Sequence, residues 1–261
     1  MIYGFIGTGT ITEAIVTGLI SSIHSGAPIP LTKIVVSPRN AAISQRLASR
    51  FPEVEIARSN QGVVDEAEIL LLAVRPQVAE EVLRALSIPK SRRVISLIAA
   101  TSHEKLATWT GLETGNFSRA VPLPFVAFRE GVTAIYPPDQ AAEQLFDAIG
   151  KAVPCDTKDE FDLLAALTAL MGPYFGILER VSDWLASKGM AEAKARDYLT
   201  PLFGGLAHVA SRAPTTRYTQ LREEFSTKGG LNEQVFQDFD TTGGTEALIK
   251  ALNRVLERIK S

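Results

Sequence analysis

A chain of 261 residues, 46% hydrophobic and 21% charged, can bury one large core or two modest ones. With 27 basic against 29 acidic side chains, the net charge of −2 gives no electrostatic pull toward nucleic acid or an anionic membrane, so a small molecule is the expected partner. The single cysteine, Cys155, excludes an intrachain disulfide and a cysteine-held metal; it reads as a small buried apolar residue in a reducing, cytoplasmic setting.

In chain order, "IYGFIG" (2 to 7) is an apolar strand that runs into the turn and helix of "GFIGTGTITEAIVTGLI". Further strands are expected at 33 to 37, 68 to 74, 92 to 99 and 132 to 137, with helices at 11 to 22, 40 to 50 and 77 to 86. The strand runs are apolar on both faces, as a parallel sheet covered by helices on both sides requires. From about Asp159 onward nearly every stretch carries helical periodicity, broken at "MGPY" (171 to 174), "SKG" (187 to 189) and "SRAPTTR" (211 to 217), with a last helix at 243 to 260. The expected organisation is an α/β domain over residues 1–154 and an all-helical domain over 155–261. No run is read as reaching the roughly 20 apolar residues that cross a bilayer, and the N-terminus has no basic flank of a secretion signal.

Gly7 and Gly9 stand between an apolar strand and a helix, where they permit a tight turn and let backbone N–H groups approach a pyrophosphate at the helix N-terminus. The alternative is a pair of glycines that serves only the turn. The second strand ends in "VVSPRN", with Ser37 and Arg39 where an NAD site usually carries an acidic residue. A hydroxyl donor and a guanidinium suit the 2′-phosphate of NADP, with Asn40 capping the next helix; the alternative is an ordinary turn with a solvated arginine.

No nucleophile elbow, P-loop or His-Glu-x-x-His run appears, and no metal is expected. His24, His103 and His208 are scattered, and each reads as a surface or helix residue rather than a catalyst. This scarcity fits reduction of an imine. A protonated imine already carries the charge that a hydride neutralises, so the protein has chiefly to position the reactants and exclude water. A carbonyl reductase ordinarily places a Lys, His or Tyr acid at the oxygen.

The order of motifs resembles the pyrroline-5-carboxylate reductase family nearly end to end. "GFIGTGTITEAIVTGL" is similar to that family's first strand and turn, "AVRPQVAEEVL" to its V-K-P-Q segment, and "ISLIAATSHEKL" to the strand before its A-A-G turn. "LTALMGPYFGILERVSDWLASKGM" resembles its S-G-P-A-Y helix pair, and "STKGGLNEQ" falls where it has S-P-G-G-T-T. The resemblance implies a Rossmann-type doubly wound parallel sheet followed by an all-helical dimerisation domain, NADP (NADPH) as cofactor and a homodimer through the helical domain. It implies that Gly7, Thr8, Gly9, Thr10 and Ile11 cradle the pyrophosphate and that Ser37 and Arg39 take the 2′-phosphate. Asn60 would approach the adenosine, and Ala73, Val74, Arg75 and Pro76 would line the ribose and nicotinamide.

The implied substrate residues depart from the family. "VPLPF" replaces M-P-N-T-P, so that Leu123, after Val121 and Pro122, stands where an amide is usual, while Met171 replaces the hydroxyl before Gly172-Pro173 and Tyr174 the small residue after it. In the turn, Lys228, Leu231 and Asn232 replace a proline and paired threonines around Gly229 and Gly230, with Gln234 as a further polar group. In that family the turn reaches the nicotinamide of the partner subunit. The expected function is NADPH-dependent reduction of a small cyclic imine or imino acid, with pyrroline-5-carboxylate a poor substrate. Two alternatives stay open: reduction of a small keto acid, which would need a proton donor such as Tyr174 or Lys228, and a non-catalytic NADP-binding regulatory protein.

Overall fold

The computed structural model describes residues 1–260. It divides into one unit over Met1–Ala165 and a second over Ala166–Ile259. The first unit alternates strands and helices: β1 (Ile2–Ile6), α1 (Thr10–His24), β2 (Lys33–Val36), α2 (Ala41–Arg50), β3 (Val54–Ile56), α3 (Asn60–Glu66), β4 (Ile69–Leu72), α4 (Pro76–Arg84), β5 (Arg93–Ser96), α5 (His103–Thr110), β6 (Phe117–Val121), β7 (Gly131–Tyr136), α6 (Gln140–Asp147) and β8 (Gly150–Pro154). Lys158–Leu167 forms α7.

The eight strands make one sheet in the order β3-β2-β1-β4-β5-β6-β7-β8. Neighbours from β3 to β6 are parallel, β7 turns antiparallel to β6, and β8 is parallel to β7. The expected doubly wound parallel sheet is therefore present with a reversed two-strand edge. Alternation along each strand sends side chains to opposite faces. In β1, Tyr3 and Phe5 join the core under α1, α2 and α6, while Ile6 joins the core under α3, α4 and α5. Both faces bury Val, Ile and Leu, which is why the strands read as unbroken apolar runs. Gly18, within α1, faces the backbone carbonyl of Val126, and a Cβ there would collide with it. Its missing side chain lets the 3-10 turn Pro124–Phe128, which follows the end of β6, lie against α1.

The second unit holds the end of α7, a 3-10 turn at Thr168–Leu170, α8 (Met171–Ser187), α9 (Glu192–Arg212), α10 (Tyr218–Glu224), α11 (Leu231–Thr241) and α12 (Gly244–Lys260). The two units part within α7 rather than after β8, because Phe161 packs with Ala134 and Cys155 in the core of the first unit. Cys155 is buried and unpaired with another cysteine. The break expected at "MGPY" does not form: a 3-10 turn at Thr168–Leu170 joins α7 to α8, and the helical stretch runs on through Met171–Tyr174 with Pro173 inside it. This corrects the expectation that no stretch could cross a bilayer. Lys158–Ser187 is a continuous helical stretch of 30 residues with a window of mean hydropathy 1.6, long and apolar enough by length and composition. Its apolar side chains are largely uncovered, as are others of this unit: Phe175, Trp184, Tyr198, Val235 and Phe239 are all exposed. Only Ala166, Ala195 and Leu199 of this unit count among the buried hydrophobic residues.

A polar cluster lies inside the first unit, where β6, the end of β7, α5 and α7 meet. The Arg119 guanidinium stacks 4.7 Å over the Phe161 ring, and the His103 ring meets Tyr136 edge-on at 5.6 Å. Asp162, fully buried, takes an ion pair from Lys158 at 2.5 Å. His103 Nε2, Arg119 Nε and Asp162 Oδ1 are buried without a hydrogen-bond partner. Burial first, then the Arg119 charge and more weakly Lys158, hold the His103 imidazole below its ordinary pKa, against a smaller opposing pull from Glu104 and a hydrogen bond at the Tyr136 backbone. Folded His103 therefore stays neutral where the unfolded chain, with an ordinary value of 6.5, begins to take up a proton. Stability is full above that value and falls as the pH drops below it toward the lowered folded pKa, by at most about 1.4 kcal/mol per pH unit for one proton. Urea unfolding between neutral and mildly acidic pH should show this loss, and His103→Gln should remove it; an equal slope in both proteins would refute the assignment.

Candidate cofactor and substrate site

The C-terminal ends of β1, β4, β5 and β6 share one edge of the sheet, because these strands are parallel. Strand order reverses between β1 and β4, the crevice where open α/β sheets bind ligands. Gly7 leaves β1 there with φ of +100°, and a Cβ on it would lie 2.6 Å from the Ala73 carbonyl oxygen and 2.9 Å from Val74 N. Only glycine satisfies both conditions. The chain then passes Thr8 and Gly9 into α1. A Cβ on Gly9 would meet nothing within 4 Å, so this face of the turn is open.

The N-terminus of α1 has no side-chain cap, nor do those of α2 and α4, whereas α3, α5 and α6 are capped by Ser59, Ser102 and Asp139. Uncapped first-turn N–H groups, at the positive end of a 15-residue helix, are what a pyrophosphate requires. Glycine at the closest approach, an open face beside it and unspent backbone donors thus fit a dinucleotide. Gly7, Thr8, Ser37, Ala73 and Val74 converge on this turn. Thr10 and Ile11 open α1, Arg75 is the N-cap and Pro76 the first residue of α4, and half-buried Asn60 opens α3 after the Ser59 cap.

Two expectations at the end of β2 need correction. Ser37 is not a free donor for a phosphate: its side chain is fully buried, and its Oγ accepts the Gly7 N–H at 3.0 Å and lies 3.0 Å from Thr8 Oγ1. Asn40 stands at the N-cap of α2 but makes no side-chain cap bond, because its backbone is left-handed with φ of 71°, a conformation asparagine tolerates better than most residues. Arg39, exposed on the same loop, remains the cation of this segment.

Val121, Pro122 and Leu123 are half-buried at the end of β6, and Leu123 leads into the 3-10 turn. In the helical unit, Met171 to Tyr174 form the first turn of α8, and Tyr174 packs edge-on against Phe175 and Phe203 at 5.1 and 5.9 Å. The turn at 226–234 is closed by its own groups. Gly229, with φ of +73°, donates its N–H to Glu233 Oε2 at 2.6 Å, and Gly230 donates to the Thr227 carbonyl at 2.7 Å. Asn232 Nδ2 donates to the Phe225 carbonyl at 2.6 Å, while Lys228 and Leu231 are exposed. Glu233 is the residue that the sequence reading missed. Its signal was available: an acid three residues into a helix after a glycine N-cap reaches back to the preceding backbone N–H.

Residues 2–100 match the family described as NADP oxidoreductase, coenzyme F420-dependent, and residues 159–261 match the family described as pyrroline-5-carboxylate reductase dimerisation. The chain is 26% identical to the pyrroline-5-carboxylate reductase of Haemophilus influenzae, over 97% of this chain and 94% of that protein. Its fold is similar to that of a pyrroline-5-carboxylate reductase from Coxiella burnetii, with a TM-score of 0.82, 24% identity and coverage of 99% and 97% of the two chains. A Plasmodium falciparum pyrroline carboxylate reductase, solved with NADP bound, gives a TM-score of 0.80 at 15% identity, with coverage of 99% and 96%.

Proposed function

The chain belongs to the pyrroline-5-carboxylate reductase family as a divergent member, and on that premise we propose that it is an NADPH-dependent reductase of a small cyclic imine in the cytoplasm. NADPH, when bound, supplies the hydride that reaches the carbon of the C=N bond. The observation that carries the cofactor assignment is the uncapped α1 N-terminus beside Gly7, with Arg39 rather than a carboxylate on the loop after β2. The turn's N–H groups hold the pyrophosphate, Arg39 meets the 2′-phosphate, and Asn60 and Ala73–Pro76 border the adenosine and nicotinamide ends. A protonated imine needs no acid at the reacting carbon, in keeping with a half-buried end of β6 made of Val121, Pro122 and Leu123.

The turn at 226–234 selects the substrate. It already holds a carboxylate, Glu233, on the Gly229 N–H, and it offers Leu231 in place of a hydroxyl. A substrate carboxylate directed there meets like charge, whereas an iminium does not. The substrate class is therefore a cyclic imine without a carboxylate at that point. The helical unit pairs with a second copy, which covers the exposed apolar side chains of α8, α9 and α11 and accounts for a bilayer-length apolar helix in a reductase.

Two measurements test this reading. Against a panel of cyclic imines, pyrroline-5-carboxylate should give kcat/KM below about 10⁵ M⁻¹s⁻¹. Replacing Leu231 and Asn232 together by Thr should raise it by roughly tenfold or more while NADPH affinity stays unchanged. Proficient turnover of pyrroline-5-carboxylate by the unaltered protein would overturn the assignment. Light scattering at micromolar concentration should give twice the mass of one chain, and a stable monomer would contradict the pairing.

A further inference from the structure

We propose that Ser37 is a positioning residue that shapes the glycine turn for the pyrophosphate common to both nicotinamide dinucleotides, and that discrimination of the 2′-phosphate falls to Arg39 alone; this rests on the NADPH reading above. A hydroxyl has one hydrogen to donate. Thr8 Oγ1 lies 2.7 Å from the Ser37 carbonyl oxygen, which can only accept, so the Thr8 hydrogen goes there. The 3.0 Å contact between the two hydroxyls must then be donated by Ser37. Ser37 Oγ also accepts the Gly7 N–H. Both side chains are buried, so none of these bonds is exchanged with water.

Ser37 therefore has no hydrogen left for a phosphate. A new donation would leave the buried Thr8 hydroxyl without its donor and open the ring of bonds that holds the turn. From the other side, Thr12 Oγ1 donates to the Gly7 carbonyl at 2.7 Å. Both backbone groups of Gly7 are thus tied to buried hydroxyls, one just after β2 and one on α1. These bonds fix the direction in which the chain leaves β1, and hence where the open α1 N-terminus lies. They act on the part of the ligand that NADPH and NADH share. Arg39 is the only side chain of the two expected here with its charge exposed and unspent.

The test is a titration of NADPH and NADH into the full-length protein and four variants. Ser37→Ala and Thr8→Val should raise Kd for both nucleotides by a common factor of about three to ten, with the NADPH-to-NADH ratio unchanged. Thr8→Ser keeps the hydroxyl and should restore the original affinities, which a merely structural loss of packing would not allow. Arg39→Met should weaken NADPH alone, by roughly ten- to a hundredfold. If Ser37→Ala does not fold, Thr8→Val and its serine counterpart carry the same comparison. Selective loss of NADPH in Ser37→Ala or Thr8→Val, or no loss of either nucleotide, overturns the proposal. Failure of the unaltered protein to bind either dinucleotide would instead overturn the cofactor reading on which it rests.

Discussion

The left-handed backbone at Gly7, wedged against the Ala73 carbonyl and held between the hydroxyls of Ser37 and Thr12, is the constraint on which the first unit depends. β1 and β4 are hydrogen-bonded neighbours, so the chain leaving β1 has to turn within the space left by the Ala73–Val74 backbone. Any side chain at residue 7 would push the turn off the sheet end. The same turn decides how α1 lies on the sheet. Gly18, two turns along, then meets Val126 backbone to backbone, which places the 3-10 segment that follows Val121–Leu123. The glycine turn after β1 and the end of β6 are thereby set by one helix.

The helical unit obeys a different economy. It has few buried apolar residues of its own and presents aromatic and aliphatic side chains outward along α8, α9 and α11. A helix with an uncovered apolar stripe is stable only when something covers it. The match of residues 159–261 to a family described as pyrroline-5-carboxylate reductase dimerisation is consistent with a protein surface as that cover. The sheet unit, with two apolar cores on its two faces, needs no such completion.

Much of this was legible in the residues. β1, β2, β4 and β5 are central strands buried on both sides, and runs such as "ILLL" announce themselves. β3 is only three residues long, and β6 carries Ser118 and Arg119 within an apolar run, so neither has the pattern of a buried strand. Arg119 is tolerated there because its guanidinium lies on Phe161, a contact between residues far apart in the chain. The Gly-x-Gly turn was readable because its requirement is local. The role of Ser37 was not, since a hydroxyl near a phosphate site and a hydroxyl spent on Gly7 look identical in one dimension. The break at "MGPY" failed because a tighter 3-10 turn at Thr168–Leu170 lets the helical stretch continue past Pro173, which a proline alone does not announce.

Hydride transfer to a C=N carbon is tested by following an isotope from the cofactor to the product. NADPH deuterated separately on each face of the nicotinamide should be incubated with cyclic imines that lack a carboxylate, and the amine product examined by mass spectrometry and NMR. One deuterium is expected, on the former C=N carbon, from only one of the two labelled cofactors, because a rigidly held nicotinamide presents one face. No deuterium in any imine product, or transfer only to a keto acid's carbonyl carbon, would contradict it.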